Sequence, residues 1–482
     1  MRGRLLVAAI GASAAAGCAL KTPPPHDAVV AEALPKGTSI PAAWKAEPGA
    51  ASVTDDWLKS FDDPTLEAIV AEAIANNLDL RQAAERVTIA QQGAVVVGAR
   101  LLPHVGARLG GRTTRDEDHD QNFNTALAYA GVAWEVDIWG KLRSQRAAAE
   151  AGYEATALDY AFARQSLATT AARAWFLATE TRQLLALAEQ SVEIYRQLLE
   201  LVKIRRSAGK DSDLDVYDTQ AKLESAQSAV ESARESYGEA RRALEVLLGR
   251  YPAAEIEVAA AYPVLPAPPA TGVPASLLER RPDIVAAERE VLSAFRLEEA
   301  AKLALLPDFS IALVGGRLGD QLLSLLRLNP WMASAAIGVS IPIFEGGALR
   351  ARVEIATAQQ AQAVARYGSV VLTAFREVEN TLANEQFLAN RLPFDESSLN
   401  DRTESVRIAT VQYRAGRRDL LWVSNLQTAQ IATEAALIRL RGLQRVNRVR
   451  LLLALGGSFD SAPATAAPAH GPSATSSPET KQ

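Results

Sequence analysis

Cysteine is nearly absent: Cys18 is the only one in 482 residues, which rules out an internal disulfide and a cysteine zinc set. Histidine is almost as scarce, with His26, His104 and His470 scattered and one more inside "RDEDHD" at 115–120. That acidic run lies between two expected strands and lacks the ligand spacing of a calcium loop, so it reads as a solvated loop. The glycines of "VGGRLG" at 314–319 come without the Lys-Ser/Thr and following helix of a phosphate loop, which excludes that nucleotide motif. No serine stands in a nucleophile elbow, and no residue set suggests a metal, a cofactor or an enzyme. A net charge of −5 gives no basic footprint for nucleic acid. Beyond the start, no run approaches the ~20 apolar residues of a membrane helix. Any further membrane entry must therefore use strands.

The start has its own logic. Met1-Arg2-Gly3-Arg4 is a short basic segment, and Leu5 to Ala16 are small and apolar, the layout of a secretory signal peptide over 1–17. Ala15-Ala16-Gly17-Cys18 resembles a bacterial lipobox, which makes Cys18 the expected lipid-attachment residue and the only covalent group expected. The alternative is a chance cysteine beside an ordinary signal peptide. Ala19 rather than Asp, by resemblance to bacterial lipoproteins, favours the outer membrane. Residues 18–53 are rich in Pro and Ala and read as a tether. Residues 458–482 are low in complexity and read as a disordered tail.

Between them the chain repeats itself. Asp79-Leu80 matches Asp283-Ile284, and "LLP" at 101–103 matches "LLP" at 305–307, at an offset of 204. From Gly131-Val132 and Gly338-Val339 to Leu248-Gly249 and Leu455-Gly456 the offset is 207. An offset held over so many pairs marks a tandem duplication, with repeats at 54–250 and 251–457.

Each repeat has one order of elements. A helix at about 64–101, or 283–305, ends at a proline, which cannot continue the hydrogen-bond ladder. Two segments of period two follow, at about 104–113 and 126–138, and again at 308–318 and 333–344. Their apolar positions include Val105, Ala107, Leu109, Val132, Trp134 and Val136, then Phe309, Ile311, Leu313, Ile337 and Val339. A long helix at 141–206 or 348–414 comes next, rich in Ala, Leu, Glu, Gln and Arg. Tip turns at about 207–213 and 414–420 return the chain into second helices. Pro393 predicts that the second long arm is kinked or divided.

At 1.5 Å per residue, such arms reach about 100 Å, beyond what a globular core covers. A coiled-coil rod would need no strands, yet four are present, each near the ~9–11 residues that cross a membrane obliquely. Four strands cannot close a barrel, and open edges are costly in lipid. Two chains would give eight strands and three would give twelve, so the pattern implies an oligomeric tube.

Six segments carry a resemblance to TolC/OprM-type outer-membrane factors of the acylated, NodT-like branch. They are "DDWLKSFDDPTLEAIVAEAIANNLDL" at 55–80, "WEVDIWGKLR" at 134–143, "LLERRPDIVAAER" at 277–289, "IPIFEGGALRARV" at 341–353, "YRAG" at 413–416 and "LLALGG" at 452–457. The resemblance implies a mainly α fold with a small membrane β-barrel: a homotrimer of twelve strands continued by a periplasmic α-helical barrel. It also implies an exit duct for small molecules, coupled through a periplasmic adaptor to an inner-membrane pump of the RND type. Two alternatives are a duct for ABC-driven type I protein secretion and a non-channel periplasmic lipoprotein such as an adaptor. An adaptor would need biotinyl-lipoyl-like segments, which the chain lacks.

The family's gate lies at the tip turns. Aspartates are frequent there at the positions of Trp422 and Asn425, and this sequence departs from that pattern, with Arg417, Arg418 and Asp419 just before them. The first turn keeps Asp211, Asp213, Asp215 and Asp218. Pairing of Asp215 or Asp218 with Arg417 or Arg418 of the neighbouring hairpin is the expected closure. Solvated turn residues and helix N-terminal acids are the simpler alternative. Gly209 and Gly416 are expected to supply positive φ. Leu214, Val216, Leu421 and Val423 are candidates for hairpin packing or for adaptor contact.

Overall fold

The computed structural model describes residues 20–46, 55–116, 121–319 and 331–459. The signal peptide, Cys18 and the 460–482 tail lie outside the described residues, as does 117–120 of "RDEDHD". Two compact units make up the chain. One holds the residues up to Thr38, Glu85–Leu158 and Asp283–Val370; the other holds Ser39–Ala84, Asp159–Pro282 and Val371 onward.

The helices are α1 (His26–Ala33), α2 (Pro64–Asn76), α3 (Leu78–Ala99), α4 (Lys141–Ser207), α5 (Asp213–Leu247), α6 (Leu277–Arg280), α7 (Pro282–Leu303), α8 (Ala348–Arg414) and α9 (Leu420–Ala454). The strands are β1 (His104–Asp116), β2 (Gln121–Val136), β3 (Asp308–Gly319) and β4 (Met332–Ser340). The duplication is visible in lengths alone: α4 and α8 have 67 residues each, α5 and α9 35 each.

Several boundaries differ from the sequence expectation. The helix expected at 64–101 is two helices, because Asn77 leaves α2 in extended geometry and its Oδ1 accepts the N–H groups of Asp79 and Leu80, capping α3. Its counterpart 204 residues on, Arg281, is also extended and separates α6 from α7. Pro393 does not divide α8, which runs unbroken through it. A missing N–H removes one bond from a ladder that 67 residues continue on both sides. Strand β4 stops at Ser340 rather than 344, since Pro342 has no N–H for the ladder. Ser458 and Phe459 belong to the body: Asp56 N–H donates to Ser458 O, and Arg164 lies 4.9 Å over the Phe459 ring.

The described part of the 18–53 segment is not a free tether. In the first unit, α1 buries Val29, His26 Nδ1 meets Glu288 at 2.9 Å, and the Ala33 carbonyl sits 2.2 Å from where a Cβ on Gly368 would stand. In the second unit, Trp44 is 3 % exposed and donates its Nε1–H to Thr271 O, while Lys45 and Ala46 N–H groups donate to Glu379. Apolar and backbone partners far along the chain hold what composition alone reads as loose.

One antiparallel sheet, in the order β1-β2-β3-β4, lies in the first unit. Its register lines up Val105, Val132, Leu313 and Ala335 across the four strands, and Trp134, Ile311 and Ile337 across three. The alternating apolar positions of both repeats therefore share one face. The opposite face carries His104, Arg108, Tyr129, Glu135 and Ser310 between glycines and alanines. Among the described residues, β1 and β4 are both unpaired edges.

The motif "WEVDIWGKLR" launches α4. Asp137 accepts the N–H groups of Leu142 and Arg143 at 3.0 Å each, and Lys141 pairs with Glu135 and Asp308. In the second unit Trp57, Phe61, Leu66, Trp175, Phe176, Leu244 and Val449 form the main core. The linker after α5 crosses that unit under guanidinium donors: Arg241 on Ile256 O, Arg182 on Val258 O, Arg445 on Pro263 O and Arg448 on Pro266 O. Burial lowers Arg445 to about 10.

Candidate functional site: the two tip turns

Both tips close by the same backbone device. After α4, Gly209 takes φ 68° and donates to Arg206 O, while Lys210 N–H returns to Arg205 O. After α8, Gly416 takes φ 72° and donates to Tyr413 O, while Arg417 N–H returns to Gln412 O. A left-handed residue at this point suits glycine. Each returning helix is then capped by a side chain at equivalent positions: Ser212 accepts from Asp215 N–H, and Asp419 accepts from Trp422 N–H. Ser212 and Asp419 are 207 residues apart.

The side chains differ. At the first tip Arg205 grips both carboxylate oxygens of Asp211 at 3.0–3.2 Å and donates to Tyr413 O at 2.9 Å. The Tyr413 hydroxyl donates to Asp211, and the guanidinium stacks 4.3 Å over the tyrosine ring. Arg205 and Asp211 side chains are 11 % and 7 % exposed, and Tyr413 is 1 % exposed. Burial, then the Asp211 hydrogen bond, pushes the Tyr413 hydroxyl far above its ordinary range. The bond to Asp211 raises Arg205 further. Asp211 stands in the sequence beside the candidate aspartates, but Arg205 and Tyr413 were not anticipated; the six-residue return from Arg205 to Asp211 across a glycine turn is the signal that could have found them.

The expected gate residues lie apart within one chain. Asp215 completes a capping box, accepting from Ser212 N–H at 2.8 Å and Ser212 Oγ at 2.7 Å. Asp218 pairs with Lys222, which also reaches Ser424 Oγ at 2.6 Å. Arg418 stacks 5.0 Å over the half-exposed Trp422, and its Nε–H meets Gln412 Oε1 at 3.4 Å. Arg417 and Asn425 are exposed. Among the described residues, no hydrogen bond or ion pair joins Asp215 or Asp218 to Arg417 or Arg418 within one chain.

Packing also sorts the four candidate apolar residues. Val423 is fully buried and Val216 lies against the same cluster of Leu199, Val202, Leu223, Tyr413 and Leu420. Leu214 and Leu421, which are equivalent, stay 76 % and 60 % exposed. The first pair packs the hairpins and the second pair faces outward.

Among the described residues no helix is long and apolar enough to cross a membrane. Residues 69–250 and 273–457 match the family described as outer membrane efflux protein, one match per repeat. Over 457 residues the chain is 29 % identical to the pyoverdine export outer membrane protein OpmQ of Pseudomonas putida, covering 92 % of this chain and 95 % of that one. It is 26 % identical over 410 residues to the cation efflux system protein CusC of Escherichia coli, covering 84 % and 88 %. The solved outer-membrane channel OprN has the same fold, with a TM-score of 0.78 at 26 % identity over 89 % of this chain and 99 % of that one. The duplicated hairpins, the shared apolar sheet face and these likenesses converge on one conclusion: the chain belongs to the outer membrane efflux protein family, whose members are outer-membrane efflux channels.

Proposed function

We propose that three copies of this chain form a passive exit duct, anchored by lipid on Cys18, for small molecules delivered by an inner-membrane RND-type pump through a periplasmic adaptor. The open four-stranded sheet carries this reading. Its apolar face holds Val105, Leu109 and Ile337, each more than 70 % exposed, and both of its edges lack partners among the described residues. Lipid suits that face, but unpaired edge groups there cost several kcal/mol each, so neighbouring copies must supply the missing strands. Three copies give twelve strands, an even number within the range of bacterial barrels.

The tips supply the gate. Residues 207–218 carry one lysine against four aspartates, and residues 414–425 carry three arginines against one aspartate. In a ring of alternating hairpins an acidic tip stands beside a basic one. Asp215 or Asp218 of one copy then meets Arg417 or Arg418 of the next, and the exposed Leu214 and Leu421 are left for the adaptor.

The test is native mass and single-channel conductance of the detergent-extracted mature protein. A trimer whose small conductance rises severalfold in the Arg417→Ala/Arg418→Ala variant is expected. A conductance left unchanged in that variant removes the gate, and a non-conducting monomer removes the duct.

A further inference from the structure

On the long helices a threonine hydroxyl ordinarily finds its partner in its own backbone: Thr156, Thr170, Thr179 and Thr428 each donate to the carbonyl four residues back. Thr169 does not. It is 3 % exposed, and its buried Oγ1 has no hydrogen-bond partner among the described residues. One turn on, the Nε of Arg173 is buried without a partner, and one turn back the same holds for Gln165 Oε1. Positions 165, 169 and 173 share one flank of α4. Side chains lean toward the start of their helix, so the Arg173 stem runs back over Thr169.

Helix α9 supplies the other side. Val449 packs in the core with Ala172 and Phe176, which sets Arg450 beside this flank. Arg450 is exposed, and neither it nor Arg173 makes a hydrogen bond or an ion pair among the described residues. Burial, then the like charge of Arg450, lowers Arg173 below its ordinary range. On α4 the next carboxylate is Glu180, two turns further on, and its charged neighbour is Arg439. The duplication does not demand this set: at an offset of 207, Thr169, Arg173 and Arg450 correspond to Arg376, Asn380 and Ala243. Two cations without a counter-charge and a hydroxyl without an acceptor thus meet where the shared helix packing does not require them.

We propose that Arg173, Arg450 and Thr169 bind a phosphate-type oxyanion, free in solution or carried on a lipid headgroup. Two guanidinium forks and a hydroxyl offer more donors than the two oxygens of a carboxylate can take, whereas a tetrahedral dianion takes them all. Its charge offsets the pair of cations, and Thr169 gains the acceptor that its own helix does not give. Gln165, one turn away, adds an NH2 donor when its amide is turned inward. The bound anion ties α4 to α9. The site lies within one chain and does not depend on the assembly proposed above.

The full chain, extracted in phosphate-free detergent buffer, is titrated with sodium phosphate at constant ionic strength while its thermal midpoint is followed, with chloride as the control. A saturable rise specific to phosphate is expected, since a ligand of the folded state stabilises it. Arg450→Gln, at an exposed position, and Thr169→Val, which keeps the side-chain shape, should each weaken that response severalfold. Without phosphate, Arg450→Gln should melt no lower than the parent, because it removes a like charge beside Arg173. A second titration adds phosphatidylglycerol to the micelles. A response to the lipid but not to free phosphate, weakened in both variants, makes the anion a headgroup; a response to free phosphate makes it the soluble ion. No response to either, an equal response to chloride, or a response that both variants retain overturns the site.

Discussion

At the first tip the turn is locked from outside its own hairpin: Arg205 and Asp211 flank Gly209, and both bind Tyr413, which belongs to α8. At the second tip the equivalent of Arg205 is Gln412 and that of Asp211 is Arg418. They share one long hydrogen bond of 3.4 Å in solvent, and Arg418 rests instead on Trp422. The backbone is the same in both turns, down to the glycine, the returning N–H and the N-cap. Conformation here is set by glycine and cap, and rigidity by what the side chains find across the turn. Within one chain the first tip is therefore the stiffer of the two.

That contrast can be broken. The largest effect should come from Arg205→Ala, which leaves Asp211 buried without its cation; loss of one partner of a buried pair costs about 3 kcal/mol or more. Hydrogen exchange across 205–216 should then rise to the level of 412–423, and protection unchanged there would place the stiffness elsewhere.

Tyr413→Phe should loosen the first tip by a smaller amount, about 1–2 kcal/mol, because Arg205 still holds Asp211. The same hydroxyl gives a pH dependence. Its folded value lies above the unfolded value of ~10, so its contribution is whole below pH ~10 and is lost as pH rises toward the folded value. Ultraviolet titration of tyrosinate should show one more late-titrating group in the parent than in Tyr413→Phe, beside Tyr262 and Tyr367, which burial also raises. If the tyrosine lost in the variant is one that titrates near the ordinary ~10, that counts against the network.

The smallest effect sharpens the comparison from the other side. Ser212→Ala and Asp419→Ala remove equivalent caps, each worth about 1 kcal/mol to its helix. Because the first tip has a second anchor, Asp419→Ala should increase proteolytic nicking at 414–422 more than Ser212→Ala does at 207–215. Equal nicking would mean that the Arg205 network adds nothing to the cap.

Features built from local chemistry were legible in the sequence. Period two placed the four strands, the 207-residue offset matched the two repeats, and Gly209 and Gly416 placed both tips. The Asn77 break was readable in kind, since asparagine before "LDL" is an N-cap signal, but helix propensity on both sides masked it. Contacts set by distant partners were not legible. Nothing beside Trp44 indicates Thr271, and nothing beside Arg205 indicates Tyr413, because their meeting depends on how helices pack.

The linker between the repeats has a consequence for inheritance. Arg182, Arg241, Arg445 and Arg448 all hold it through carbonyl oxygens of the backbone. A guanidinium that reads a carbonyl is indifferent to which side chain hangs beside it, and lysine cannot reproduce its fork. Substitutions within the linker can therefore accumulate while its path is preserved, whereas the four arginines, spread over three helices, must be kept. The duplicated halves can in this way drift apart in sequence and still be joined along one route.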